Sequence, residues 1–161
     1  MFRLAKPEDV AGIFAVLEEV APKIPLCLDG DERKELIAQL IRDCCQSRAS
    51  WIAVNNDGRI VGFQLTRPSF AGRRFTVWGA PQVAGLMLEY GGVSKTSENQ
   101  GIFRTLIEKT KRRKRPLYAT VKAKNKSAMA LRLINMGFEN FESDEGRENA
   151  YFRWQPKSHK N

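Results

Sequence analysis

The sequence predicts a mixed α/β or α+β fold in one domain, with a central sheet flanked by helices. Segments with helical and with strand periodicity follow each other in the order strand, two helices, hairpin, strand, helix, strand, helix and two closing strands. The length of 161 residues is near the usual size of one domain, and no internal repeat is visible. We therefore expect one domain over residues 1–155 and a polar tail over residues 156–161.

The first half of the chain contains a short strand, two helices and a hairpin. Residues 2–5 predict the strand, and Pro7 with two following acids predicts the start of a helix with an apolar stripe from Val10 to Val20. Prolines and a glycine break the chain over residues 21–30, and Asp31 is the expected cap of the second helix. Residues 51–54 and 59–65, joined by a polar turn that ends in glycine, predict an antiparallel hairpin.

The second half alternates strands and helices. Residues 67–85 predict a loop with at most one short strand, and Leu86–Val93 predicts a strand whose Gly91-Gly92 pair marks a bulge or a close approach. A polar loop, Ser94–Gln100, leads into a helix that Pro116 ends. A strand over 117–121 then precedes a helix capped by Asn125 or Ser127 and ended by Gly137. Two strands, 138–141 and 150–154, close the chain across a polar turn.

The composition limits the classes of function. The net charge of +9 favours an anionic partner, which leaves nucleic acid, a membrane surface and a phosphorylated coenzyme open. The basic run Lys109–Arg115 predicts either a solvated helix end or a nucleic-acid patch. No run of about 18 apolar residues occurs, and the charged start does not resemble a signal peptide, so we expect a cytoplasmic protein with no membrane span.

The cysteines and the histidine argue against two kinds of chemistry. Cys27, Cys44 and Cys45 have no metal-ligand spacing, so we expect no metal. The sequence has one histidine, His159, and it lies in the polar tail, which disfavours a catalytic triad built on histidine.

The strand–loop–helix passage from Leu86 to Lys109 carries the strongest indication of function. Gly101 precedes the helix, where a residue without a side chain lets a ligand approach the free N–H groups of the first turn. This passage resembles the coenzyme-binding motif of the GNAT superfamily of N-acetyltransferases. Residues 125–138, with Asn125, Ser127 and the Gly137-Phe138 ending, resemble the second motif of that family, and residues 3–17 resemble its first strand and helix.

The resemblance implies a mostly antiparallel sheet with about four helices, and acetyl-CoA as co-substrate. It implies that a primary amine of a small molecule or peptide attacks the thioester directly, while splayed backbone amides near Gly92 and Val93 polarise the carbonyl. A membrane partner is not expected, nucleic acid is disfavoured, and the oligomeric state is open, a homodimer included. The coenzyme-binding residues that it implies are Gly92, Val93, Ser94, Lys95, Asn99, Gln100, Gly101, Ile102, Phe103, Arg104, Asn125 and Ser127.

Three positions depart from the family pattern. Glu98 stands where the family usually has arginine or glutamine, and we expect Lys95 or Arg104 to offset its charge. Phe103 replaces a small residue, with a spacing that also suits core packing. Leu133 stands where a tyrosine often protonates the leaving thiolate. A CoA-binding module without catalytic activity is therefore a second hypothesis, and a small basic nucleic-acid-binding protein is a third.

Two residues are candidates for proton transfer. Glu89 lies four residues before Val93, where the family often carries an acid, and it is either a general base or a charge at the strand edge. Tyr118, like Tyr90 and Tyr151, is either a replacement for the missing acid or a packing aromatic. The acceptor amine is unknown. We expect residues 23–28 and 67–78 to contact it, and the arginines within residues 67–78 favour an acceptor with a carboxylate or phosphate.

Overall fold

A computed structural model describes residues 1–69, 85–142 and 149–157. The strands are β1 Phe2–Leu4, β2 Trp51–Val54, β3 Ile60–Ser69, β4 Gly85–Val93, β5 Leu117–Lys122, β6 Glu139–Glu142 and β7 Asn149–Trp154. The helices are α1 Val10–Val20, α2 Asp31–Gln46, α3 Ile102–Lys111 and α4 Met129–Asn135. The predicted order of elements and the mixed fold class are confirmed.

The strands form one seven-stranded sheet in the order β1-β2-β3-β4-β5-β7-β6. All neighbours are antiparallel except β4 and β5, which are parallel because α3 carries the chain back between them. The hairpin of β2 and β3 and the two closing strands β6 and β7 are confirmed. The mostly antiparallel sheet with four helices is therefore the one that the resemblance implies.

Two apolar clusters hold the helices against the sheet. The first joins α1 and α2 to β2 and β3, and its fully buried members include Ile13, Leu17, Ile41, Ile52 and Phe63. The second joins α3 and α4 to β4, β5 and β7, and its fully buried members include Ile107, Leu117, Leu133 and Phe152. Burying side chains of this size contributes about 1.5–3 kcal/mol each, so the two clusters together hold the four helices on the sheet.

The helix caps correct two expectations. Gly30, not Asp31, is the cap residue of α2, because its φ of 83° is favourable only for glycine. Asp31 instead begins the first turn, where the positive end of the helix dipole stabilises a carboxylate. Ala128, not Asn125 or Ser127, precedes α4, with a φ of 54°. The Oδ1 atom of Asn125 accepts hydrogen bonds from the N–H and the hydroxyl of Ser127, which forms a turn before the helix.

The end of α4 is as the sequence predicts. Gly137 follows α4 with a φ of 86°, and its N–H donates to the carbonyl of Ile134.

The basic run at the end of α3 is solvated only in part, since Arg112, Arg113 and Lys114 are exposed whereas Lys109 and Lys111 are half-buried. Lys109 lies 5.0 Å from the Trp51 ring, Lys111 donates to Glu108 at 2.7 Å and to the Met136 carbonyl, and Arg113 contacts the Arg48 carbonyl.

Part of the predicted loop over residues 67–85 belongs to strands. β3 continues to Ser69 and β4 begins at Gly85, while residues 70–84 lie outside the described part of the chain. The polar turn at 143–146 and the end of the tail, with His159, also lie outside it.

Candidate active site

The site begins where β4 separates from β5. β4 pairs with β5 over three residues only, Leu86–Leu88 against Leu117–Ala119, whereas its pairing with β3 continues to Val93. Between Leu88 and Gly91 the strand has one residue more than β3 has opposite it, from Gln64 to Thr66. This bulge lies at Glu89 and Tyr90, just before the glycines where we expected it, and it coincides with the start of the gap between β4 and β5.

The two glycines after the bulge are required by close packing. A Cβ atom on Gly91 would lie 2.4 Å from Oε1 of Gln64 and 2.8 Å from the Phe103 ring. A Cβ atom on Gly92 would lie 2.9 Å from a methyl group of Val20, at the end of α1. These contacts explain the glycine pair, because any side chain there would displace α1 or the start of α3.

The start of α3 presents free backbone donors. Gly101 is its cap residue, with a φ of 72°, and no side chain caps the helix. The N–H groups of the first turn therefore have no side-chain partner, and the positive end of the helix dipole adds to their attraction for an anion. The preceding loop is held in place by Glu19, whose carboxylate accepts hydrogen bonds from the Ser94 hydroxyl at 3.0 Å and the Lys95 N–H at 3.1 Å.

A cavity of about 680 Å³ lies between this helix start, the second half of β4, the end of α1 and α4. Four cationic residues line it, Lys23, Arg104, Lys126 and Arg132, together with one carboxylate, that of Glu98. The predicted coenzyme residues that line it are Gly92, Val93, Asn99, Gly101, Ile102, Phe103, Arg104 and Ser127. Ser94, Lys95 and Gln100 lie in the same loop without lining it, and Asn125 lines a second cavity.

The three departures from the family pattern have structural explanations. Glu98 accepts a hydrogen bond from Nζ of Lys23 at 2.7 Å, and this bond, more than any other contact, lowers the pKa of the Glu98 carboxyl below its usual value. Lys23 is thus the principal partner of Glu98, in place of the expected Lys95 or Arg104; the charge of Lys95 adds a smaller effect. Phe103 and Leu133 are buried in the second apolar cluster, where Leu133 is 1% exposed.

The second cavity, of about 290 Å³, continues the gap between β4 and β5. Glu89 and Tyr90 line it from β4, and Thr120 and Lys122 line it from β5. It shares Ile24, Gly91, Phe103 and Met129 with the first cavity, so the two spaces meet at the glycine pair. We call the two adjoining cavities together the cleft, and the predicted base Glu89 lines its smaller part.

The two candidate tyrosines lie in different places. Tyr90 lines the second cavity and packs against the first apolar cluster, and burial raises the pKa of its phenol. Tyr118 lines neither cavity; it pairs with Met87 in the sheet, and its ring covers Gly85. Burial also raises the pKa of Tyr118. Both phenols remain protonated at neutral pH, but only Tyr90 faces the cleft described above.

Three residues of the site have partners or positions that the sequence did not assign, although two of them lie in the segments expected to contact the acceptor. Lys23 and Arg132 line the large cavity from the α1–α2 connection and from α4, and Arg67 donates from Nε to Oε1 of Glu89 at 2.6 Å. Lys23 and Arg67 lie in segments without a motif, so no local pattern marks them. The charge of Arg67 beside Glu89 follows from strand pairing, since the two residues lie on adjacent strands.

Comparison with known proteins agrees with this arrangement. No protein-family model and no curated protein matches the chain in sequence. Among solved structures, an acetyltransferase of the GNAT family from Staphylococcus aureus is 17% identical with a TM-score of 0.68, covering 98% of this chain and 99% of that one. The chain has the GNAT fold.

Two other structures with this fold have more specific descriptions. Arylalkylamine N-acetyltransferase 2 from Aedes aegypti is 13% identical with a TM-score of 0.72, covering 98% of this chain and 99% of that one. NAA60 from Arabidopsis thaliana, in complex with acetyl-CoA, is 19% identical with a TM-score of 0.67, covering 96% of this chain and 98% of that one. At these identities the likeness concerns the GNAT fold.

The described residues contain no group of three or more histidine, cysteine or acidic side chains placed to hold a metal ion. No helix within the described ranges has the length and apolar character needed to cross a membrane.

Proposed function

We propose that the protein is an acyltransferase of the GNAT superfamily that moves the acetyl group of acetyl-CoA to a primary amine by direct attack. One observation carries the proposal: the uncapped start of α3 and the gap between β4 and β5 border two adjoining cavities that share Gly91 and Phe103. An anion site at one end and an exposed strand edge at the other suit a long thioester that carries a diphosphate. The three free cysteines fit a reducing cytoplasm as its place of action.

The phosphate end of acetyl-CoA fits the large cavity. The first-turn N–H groups of α3 face it, and Gly101 brings the backbone close to a ligand because no Cβ atom stands in the way. Arg104, Lys126 and Arg132 supply positive charge for the diphosphate and the additional phosphate. Glu98 opposes an anion in charge, but its pairing with Lys23 offsets that charge.

The thioester end fits the gap beside β4. In an antiparallel ladder, backbone groups alternate between the two sides of a strand. The Ser94 N–H donates to the Val61 carbonyl on β3, so the alternation turns the N–H groups of Val93 and Gly91 away from β3 and toward the gap. These two amides, rather than that of Gly92, are the donors that would polarise a carbonyl oxygen placed there.

Proton transfer falls to Glu89 and Tyr90. An aliphatic amine has a pKa near 10 and must lose a proton to attack, and the Glu89 carboxylate in the cleft is the proposed acceptor. Arg67 fixes the carboxylate through Oε1. Tyr90 is better placed than Tyr118 to donate a proton to the leaving thiolate, although a thiol of pKa about 8.5 requires little assistance.

The burial of Leu133 and the acid at Glu98 also favour a second candidate function, binding of CoA without turnover. Coenzyme binding is common to both candidates, so it is tested first. Binding of nucleic acid has less support, because Lys109, Lys111 and Arg113 from the basic run pack against the protein.

Thermal unfolding with and without acetyl-CoA tests the proposal. A ligand at about one hundred times its Kd that binds the native state alone adds about 2.7 kcal/mol to the free energy of unfolding, so we expect a clear rise in Tm. Gly101→Glu should abolish the rise, since it places negative charge at the anion site. Gly58→Glu is the matched control, because Gly58 also has a positive φ and open space around it but lies in the β2–β3 turn.

The result has two contrary outcomes. A Tm unchanged by acetyl-CoA and CoA but raised by ATP or DNA would reject the coenzyme assignment. An equal loss of the ligand-induced rise in both glycine variants would show that Gly101 acts through folding and not through the anion site.

A further inference from the structure

The ion pair between Arg67 and Glu89 lies where β4 leaves β5. Nε of Arg67 donates to Oε1 of Glu89 at 2.6 Å across the β3–β4 pair. The Glu89 side chain is 17% exposed and lines the smaller cavity, whereas the Arg67 side chain is 43% exposed and lines neither cavity. Glu89 thus belongs to the wall of the cleft, and Arg67 lies beside it on the solvent-exposed side.

The pair uses only part of its hydrogen-bonding capacity. The bond occupies Nε of the guanidinium and one carboxylate oxygen. The two terminal nitrogens of Arg67 form no hydrogen bond with any other described residue, and neither does the second oxygen of Glu89. A guanidinium edge of two parallel donors is the arrangement that holds a carboxylate through two bonds, and a carboxylate oxygen is an acceptor for an ammonium group or amine.

We infer that the acceptor is a small zwitterionic amine of the amino-acid class, whose carboxylate binds the open edge of Arg67 while its amine lies against Glu89. This inference rests on the proposed function and names the substrate class of the same site. Arg67 is then a specificity-determining residue, and it also positions Glu89.

The charges of the pair favour a zwitterion over other amines. Arg67 and Glu89 sum to no net charge, so a ligand with one charge of each sign places each beside its opposite. A polyamine would bring only positive groups to the exposed guanidinium. A dianionic phosphate would lie near the Glu89 carboxylate, and the amino terminus of a long peptide has no carboxylate close to its amine.

The test compares amino acids with their carboxamides as acceptors. Phenylalanine, methionine and glutamate are each paired with the corresponding C-terminal amide, and thiol release from acetyl-CoA is measured at equal concentrations of neutral amine, because amidation lowers the amine pKa. We expect kcat/KM to favour the free carboxylate about 10- to 100-fold, the range of a charge-assisted contact. Arg67→Gln should remove most of that preference, and Arg67→Lys should retain part of it.

Arg59→Gln is the control, since it removes the same charge from an exposed arginine that is not paired with Glu89. Equal losses for acids and amides in Arg67→Gln, or a wild-type preference for amides or polyamines, would overturn the inference and leave acetyl transfer standing.

If acetyl-CoA raises Tm but no amine is acetylated, calorimetric titration of phenylalanine, methionine and glutamate into the CoA complex tests the inference by binding instead. Binding weakened by Arg67→Gln supports the inference, and absent or unaffected binding overturns it. A Tm unmoved by acetyl-CoA would instead reject the proposed function.

Discussion

The first and second halves of β4 differ in almost every property. Leu86–Leu88 is paired on both sides, and Leu86 and Leu88 are buried in the second apolar cluster. Glu89–Val93 has no partner on β5, is only partly buried, and borders the cleft, and within it only Gly91–Val93 pairs in register with β3. One strand therefore has a closed half, Leu86–Leu88, which supports the core, and an open half, Glu89–Val93, which borders the cleft. The change from one to the other occurs at a single inserted residue.

Glu89→Gln, in the open half, should have the largest effect on activity. If Glu89 accepts the amine proton, turnover near neutral pH should fall roughly 10²–10⁴-fold, with partial recovery as rising pH supplies more neutral amine. Acetyl-CoA affinity should be nearly unchanged, because the phosphate end lies at α3. Initial rates across pH, with calorimetric binding of acetyl-CoA, provide the measurement.

Glu18→Gln is a suitable control for this experiment, because Glu18 is an exposed acid on α1 that lines neither cavity. A wild-type rate in Glu89→Gln at every pH would remove Glu89 from the mechanism. Loss of coenzyme binding would show that Glu89 holds the cleft in shape instead.

Leu86→Ala should affect the closed half alone. Leu86 is 2% exposed, and truncation of a buried leucine usually costs about 2–5 kcal/mol because it leaves a cavity. Urea unfolding should show this loss, while acetyl-CoA affinity at a temperature where the variant is folded should change little. An equally large fall in affinity of the folded variant would mean that the two halves of β4 are not separable.

The smallest expected effect distinguishes two tyrosines. Substitution of Tyr90, in the open half, by phenylalanine should lower kcat about tenfold if Tyr90 donates to the thiolate. This is less than the usual effect of general acid catalysis, because a thiol of pKa about 8.5 leaves with little assistance. Tyr118→Phe, beside the closed half, should leave kcat unchanged. Steady-state rates of the two variants provide the comparison, and equal losses in both would contradict it.

The same tyrosines predict the direction of an alkaline effect. Burial raises the pKa of both phenols, so the stability that their protonated forms contribute is complete below the unfolded value near 10 and is lost as pH rises above it. Unfolding at a series of alkaline pH values should show a fall in stability that is smaller in either phenylalanine variant.

Local patterns predicted the elements of this fold, and they did so where periodicity and punctuation agree. The apolar stripe from Val10 to Val20, the hairpin turn and Gly137 all act within a few residues of sequence. The predicted caps of α2 and α4 were wrong. Asp31 and Asn125 are favourable cap residues by type, but Gly30 caps α2 and the side chain of Asn125 forms a turn before α4 instead of a cap.

The site was predictable only in part, for the same reason. Gly101 and the loop before it follow from a motif, and eight of the expected coenzyme residues line the cavity. The contacts that control charge do not follow from a motif: Lys23 reaches Glu98 across 75 positions, and Arg67 reaches Glu89 across 22. Pairings of this kind depend on the assembled sheet, which no local pattern encodes.

The glycine pair of β4 constrains how this protein can evolve. Every amino-acid replacement that one base change can make in a glycine codon introduces a Cβ atom, and neither position has room for one. Gly91 is closed by Gln64 and Phe103, and Gly92 by Val20. Loss of either glycine therefore requires a shift or a change of those neighbours, so Gln64, Phe103 and Val20 are the positions where we expect compensating substitutions in any relative that lacks a glycine here.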